Sequence, residues 1–168
     1  MIRRCFVWAA ILGLFFDQVT KLAVYGMLAP GESVRLAGNF LRIIHADNPQ
    51  GVFGLAFGPQ FLYYVLPAIG SILVVVFALR ARDRWSATAF GLILGGAVGN
   101  LVDRIRLGGH VIDFIDVGWR GWRWYVFNVA DACVVCGIII LLGREFLFPV
   151  KALPPAVAAA PEPDVQNR

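Results

Sequence analysis

Three ionisable side chains stand inside apolar runs of this sequence: Asp17 and Lys21 in the first run and Asp131 in the last. Charged groups are costly in such surroundings, so each marks a candidate for chemistry. Asp17 and Lys21 are four residues apart, hence on one helix face, with the acid before the base in the order that favours pairing. They read as a structural or lipid-facing ion pair, because a paired buried charge is a poor proton shuttle. Lys21 also has the length to snorkel toward headgroups. Asp131 lies roughly 9 Å inside its run at the helical rise, with no cation beside it in sequence. Asp113 and Asp116 precede that run, at the same boundary. Two carboxylates that meet at one depth cannot both ionise. They share a proton, and one activates water while the other hydrogen-bonds the carbonyl under attack. That is the chemistry of an aspartic protease.

Other hydrolytic chemistries lack their parts. Ser33, Ser71 and Ser86 are the only serines, and none sits in G-x-S-x-G. His45 and His110 do not form H-E-x-x-H and read as solvated loop side chains. Cys133 and Cys136 make a C-x-x-C with neither a second ligand pair nor a neighbouring histidine, so metal or thiolate use is not expected. With Cys5 the count is three, which cannot complete a disulfide framework.

The elements that hold these residues are read from composition. Of 168 residues 59% are hydrophobic, against roughly 45–50% in soluble domains, and the mean hydropathy is +0.72. The expected fold is an all-α membrane protein: four transmembrane helices, over residues 5–27, 62–79, 87–102 and 125–142, with a small β-rich extracytoplasmic platform. Residues 1–148 form a single membrane-embedded domain, whose first run is an uncleaved span since no A-x-A-like site follows it. Arg3-Arg4, the turn Arg80 to Arg84, and Arg144 cluster at span ends on one side, predicting that both termini are cytoplasmic. Arg35, Arg42, Arg104, Arg106, Arg120 and Arg123 lie in or beside the outer loops and weaken that bias. The net charge of +4 comes from scattered basic residues instead of a stripe, which argues against nucleic acid. Gly91, Gly95 and Gly99 give the third span a small-residue face for close helix packing. Trp119, Trp122, Trp124 and Tyr125 form an interfacial aromatic belt. Val34 to Leu36 and Phe40 to Ile44, broken by Gly38-Asn39, predict a hairpin. Residues 149–168, rich in Pro and Ala, are expected to be a disordered cytoplasmic tail.

Four ordered blocks then carry a resemblance. They are Asp17-Gln18-Val19-Thr20-Lys21, Asn48 to Phe57, Gly99 to Arg104 running into Val111-Ile112-Asp113-Phe114, and Phe127-Asn128-Val129-Ala130-Asp131. With the four apolar runs, this order resembles the prolipoprotein signal peptidase (signal peptidase II) family over nearly the whole chain except the tail. The resemblance implies an intramembrane aspartic endopeptidase of the bacterial inner membrane, its site near the outer face. Its substrates would be prolipoproteins carrying diacylglycerol on a cysteine, cut just before that cysteine. It further implies catalysis by Asp113 and Asp131, with Asn48, Asn100, Arg104 and Asn128 lining the site and Asp17 with Lys21 as the first-span motif. An outer β-cradle and a mobile outer segment would occupy Ala29 to Phe61 and Gly108 to Trp124. No metal or organic cofactor is implied, and the partners are lipidated precursors and membrane lipids around a monomer.

Two departures are visible. Asn48-Pro49-Gln50-Gly51-Val52-Phe53 shifts the family's glycine by one, and Gly108-Gly109-His110 has one residue more than the commoner spacing. A flexible glycine pair absorbs such an insertion. Residue chemistry alone does not separate Asp113 from Asp116, and the family block selects Asp113; Asp103, beside Arg104, is expected to support a helix end. Two other classes remain in view: a proton-coupled transporter with a relay through Asp17, Lys21 and Asp131, and a non-catalytic membrane scaffold. The transporter would need polar groups spread through the membrane thickness, whereas here they gather toward one face. The scaffold leaves the buried acids unexplained.

Overall fold

The structure, a computed structural model, describes residues 1–49 and 58–147. Four helices carry a small sheet at one end. In chain order these are α1 (Ile2–Met27), β1 (Ser33–Ala37), β2 (Leu41–Asn48), α2 (Leu62–Ala78), α3 (Arg84–Arg106), β3 (Val111–Trp119), β4 (Trp122–Arg123) and α4 (Val129–Leu147). By length and composition, α1 and α3 are long and apolar enough to cross a membrane. The expected tail, residues 149–168, lies outside the described residues, as does the 50–57 stretch of the second block.

α3 is the central helix, and its glycines set the spacing. A Cβ at Gly95 would lie 2.6 Å from the Ala10 carbonyl oxygen of α1, and one at Gly99 2.5 Å from the Asp17 carboxylate. Neither would fit without displacement. On another face Gly96 meets the Ala130 carbonyl of α4, and Gly137 of α4 returns against Ala89 and Ile93 of α3. Glycine thus lets backbone touch backbone on both sides. These contacts run α1 parallel to α3 and α4 antiparallel to it. The end of α3, the end of α1 and the start of α4 therefore share one end of the bundle.

Polar groups fix the helix ends, which hydropathy alone misplaces. α3 begins before residue 87 because Asp83 accepts from the Ser86 N–H at 2.8 Å, an N-cap. α4 begins at Val129 instead of 125 because Phe127 exchanges backbone hydrogen bonds with Ile115 of β3. Asn128 then caps the helix. Its Oδ1 accepts from the Asp131 N–H at 2.9 Å while its own N–H donates to Asp131 Oδ2 at 3.2 Å. This reciprocal pair is a capping box.

The sheet is antiparallel, in the order β1-β2-β3-β4. The hairpin expected around Gly38-Asn39 is present, with Gly38 at φ 55° supplying the left-handed turn position. β3 departs from expectation. The resemblance implies a mobile outer segment over Gly108 to Trp124, yet Val111 to Trp119 is a strand paired along β2 with Val111, Ile112, Asp113, Phe114 and Asp116 all buried. Ile112 and Phe114 pack with Val24 of α1 in a small apolar core. The alternation of side chains then turns Asp113 to the opposite face of the strand.

Candidate active site

Each candidate side chain is set by a different element. Asp113 comes from β3, Asn48 from the end of β2 opposite Val111, Asn100 and Arg104 from one face of α3, Asn128 from the cap of α4 and Asp131 from its first turn. A cavity of ≈ 370 Å³ is bordered by Asn48, Asn100, Arg104, Asp113 and Asp131. Its remaining wall is mostly apolar, including Leu62, Leu66 and Pro67 of α2 and Val134 of α4. Tyr63, which the sequence reading did not single out, also lines it. Nothing in a run of apolar residues marked that tyrosine.

Amide side chains hold the two carboxylates. Asn128 Nδ2 donates to Asp113 Oδ1 at 2.7 Å and Asn48 Nδ2 donates to Asp113 Oδ2 at 2.8 Å. Asn100 Nδ2 donates to Asp131 Oδ1 at 2.8 Å, and its Oδ1 accepts from Asn128 Nδ2 at 3.0 Å. Burial raises the Asp113 carboxyl most, the neighbouring Asp131 raises it further, and the amide donors offset only part of this, leaving it pushed up to about 7. Arg104 is buried and faces the same cavity. Its Nη1 donates to the Asn100 carbonyl at 3.2 Å, and its Nε has no hydrogen-bond partner among the described residues.

Behind the asparagines lies a second layer. Lys21 does not reach out to headgroups. It is 2% exposed and turned inward, with Nζ 2.9 Å from Asp17, Asp103 and Asn100 alike. Three acceptors match the three protons of the ammonium, which explains why the side chain stays inside. Asp17 is also fully buried, so neither residue is lipid-facing. Its Oδ1 accepts from the Ala130 N–H at 2.8 Å, placing a carboxylate at the positive end of α4. Asp103 does more than finish a helix: it shares Lys21 and accepts from the Ile112 N–H at 3.3 Å. Gln18, one residue from Asp17 in the first block, donates to Asp17, Asp103 and the Gly99 carbonyl.

The remaining acids and histidines separate cleanly. Asp116, three residues beyond Asp113 on a strand, faces away from it. It is clamped by Arg42 and Arg123; burial raises its carboxyl, and hydrogen bonds from Arg123 and Arg42 more than offset that and hold it below the usual carboxylate range. His45 is 2% exposed, not solvated, with Nδ1 2.8 Å from the Leu28 carbonyl at the end of α1. No group of three or more His, Cys, Asp or Glu among the described residues could hold a metal ion.

The bundle and sheet frame a cavity with apolar walls into which one buried carboxylate, Asp113, and one half-buried carboxylate, Asp131, both open. Residues 9–147 match the sequence family described as signal peptidase (SPase) II, and the chain belongs to that family of peptidases. It is 41% identical over 143 residues to the lipoprotein signal peptidase of Rhodococcus jostii (strain RHA1), covering 82% of this chain and 69% of that one. With that of Janthinobacterium sp. (strain Marseille) it shares 35% over 142 residues, covering 82% and 84%. Its fold is similar to a bacterial membrane enzyme solved by the in meso method at 2.3 Å resolution, with a TM-score of 0.76, 28% identity, and coverage of 89% of this chain and 94% of that one.

Proposed function

We propose that this chain is an intramembrane aspartic endopeptidase of the bacterial inner membrane that removes signal peptides from prolipoproteins, cutting just before a diacylglyceryl-modified cysteine. The observation that carries the reading is the cavity into which Asp113 and Asp131 both open, beside apolar walls suited to a lipid chain. Asp113 and Asp131 are the catalytic pair in this proposal, and the reactive form of the pair holds one shared proton. The ionised member takes a proton from water as the oxygen attacks the scissile carbonyl, and the protonated member donates to the carbonyl oxygen. Collapse of the tetrahedral species breaks the C–N bond, and the amine leaves with a proton returned from the pair. Asn48, Asn100 and Asn128 fix the carboxylates, and Arg104 offers its guanidinium to substrate carbonyls.

The same proposal places all four helices across the bilayer, within one domain of residues 1–148. Support comes from their outward faces: Trp8, Phe15 and Phe16 on α1, Leu66, Ile69 and Ile72 on α2, and Val135, Ile139 and Leu142 on α4 are exposed. An even number of crossings puts both termini on one side, the cytoplasmic one given Arg3, Arg4 and Arg80 to Arg84. The polar cluster then lies toward the outer face, where water is available.

Single-turnover cleavage of a lipidated precursor by purified protein tests the proposal. Asp113→Asn, Asp131→Asn and the double variant should each lose activity by about the same factor, because members of one catalytic unit are not additive. Equal cleavage of an unlipidated precursor would refute the substrate assignment, and full activity in either single variant would refute the pair.

A further inference from the structure

A second cavity, of ≈ 140 Å³, opens on the far side of Lys21 from the candidate active site. Gln18, Lys21, Leu22 and Tyr25 of α1 line it together with Asp103 and Arg106 of α3. Its floor is charged but satisfied. Lys21 and Asp103 are buried and paired to each other, and Lys21 has given its other contacts to Asp17 and Asn100.

Its mouth is different. Leu22 and Tyr25 are 52% and 58% exposed, on the flank of α1 that the proposed function turns to lipid. Arg106, the last residue of α3, makes one hydrogen bond among the described residues, from Nη1 to the neutral Gln18 Oε1 at 3.3 Å, and no ion pair. A guanidinium beside a concave polar surface, with the exposed Phe15 deeper in the bilayer on the helix face of Leu22, is a fork for an oxyanion attached to hydrocarbon. No carboxylate is free at the mouth to take a headgroup ammonium, since Asp17 and Asp103 are committed inward.

We propose that this cavity seats the phosphodiester of an anionic phospholipid, held by Arg106 with Gln18 beside it and Leu22 and Tyr25 at its rim, its acyl chains running inward along α1 past Phe15. The site rests on the membrane placement argued above but not on the peptidase chemistry. A lipid bound there would brace the α1–α3 seam that Lys21 and Asp103 join.

The test uses full-length protein equilibrated with mixed phosphatidylglycerol and phosphatidylcholine vesicles, extracted in detergent, and weighed with its bound lipid by native mass spectrometry. Wild type should keep one phosphatidylglycerol, and Arg106→Gln at least about tenfold less, as expected for losing a charge-assisted contact. Arg120→Gln, which changes an exposed arginine at the β3–β4 turn, should keep wild-type occupancy. Equal retention by Arg106→Gln would overturn the site and leave Arg106 as a helix-end charge. Retention of phosphatidylcholine in equal amount would overturn the anionic selectivity, and displacement by millimolar inorganic phosphate would overturn the lipid assignment. Cleavage of a lipidated precursor is read in parallel on the same samples. Its failure in wild type would refute the peptidase reading and leave the lipid result standing.

Discussion

Asn128 ties the two candidate catalytic carboxylates together, touching Asp113 through its side-chain amide and Asp131 through both its side chain and its backbone. Asn128→Ala removes a helix cap and two buried hydrogen bonds, so unfolding in detergent should come earlier by about 1–3 kcal/mol. Cleavage should fall as well. Asp113 sets a pH dependence. Between the ordinary carboxylate range and about 7, the folded chain keeps a proton on Asp113 that the unfolded chain has released. Stability should therefore fall as pH rises through that window and level off above it. Asp113→Asn should flatten this slope, which melting curves at pH 5 and pH 8 can measure; an unchanged slope would assign the titration elsewhere. In the sequence Asp116 is legible only as a rival to Asp113, because nothing local marks β3 as a strand whose alternating faces would separate them. Its two arginine clamps come from Arg42, which is far away in sequence, and from Arg123 beyond a turn. Asp116→Asn should loosen the sheet and lower the melting temperature, read by thermal unfolding in detergent.

α3 is the element on which the site depends, since it carries Asn100 and Arg104 and touches the other three helices through glycine or aromatic contacts. Gly95→Leu should separate α1 from α3, because even a Cβ there meets the Ala10 carbonyl. The expected outcome is a folded fraction well below that of Gly143→Leu, where a Cβ would have open space around it, read by size-exclusion chromatography at equal expression. The glycine spacing and the four apolar runs were visible in the sequence because periodicity and hydropathy are local. β3 was not. Its residues are buried on both faces, so they lack the polar alternation of a half-exposed strand. Only pairing with β2, more than sixty residues earlier in the chain, supplies the reason for the strand.

At the scale of the molecule, charge is arranged by end: the sheet, both cavities and the candidate pair lie at one, and the α2–α3 turn lies at the other. Arg82→Cys should therefore resist a membrane-impermeant thiol reagent added to intact cells, and become labelled once the cells are opened. Labelling in intact cells would reverse the orientation proposed here. The parallel course of α1 and α3 also has a temporal meaning. Lys21 is made long before Asp103, and until α3 arrives its only acidic partner in the finished cluster is Asp17, one turn away on its own helix. Until then the acid and base of the first helix can neutralise each other within one turn. When the third helix follows, its carboxylate and Asn100 complete the ammonium's set of acceptors. Synthesis order and electrostatics then agree: the amides that hold the two candidate carboxylates rest on helices that join late, so a half-assembled chain lacks an organised site.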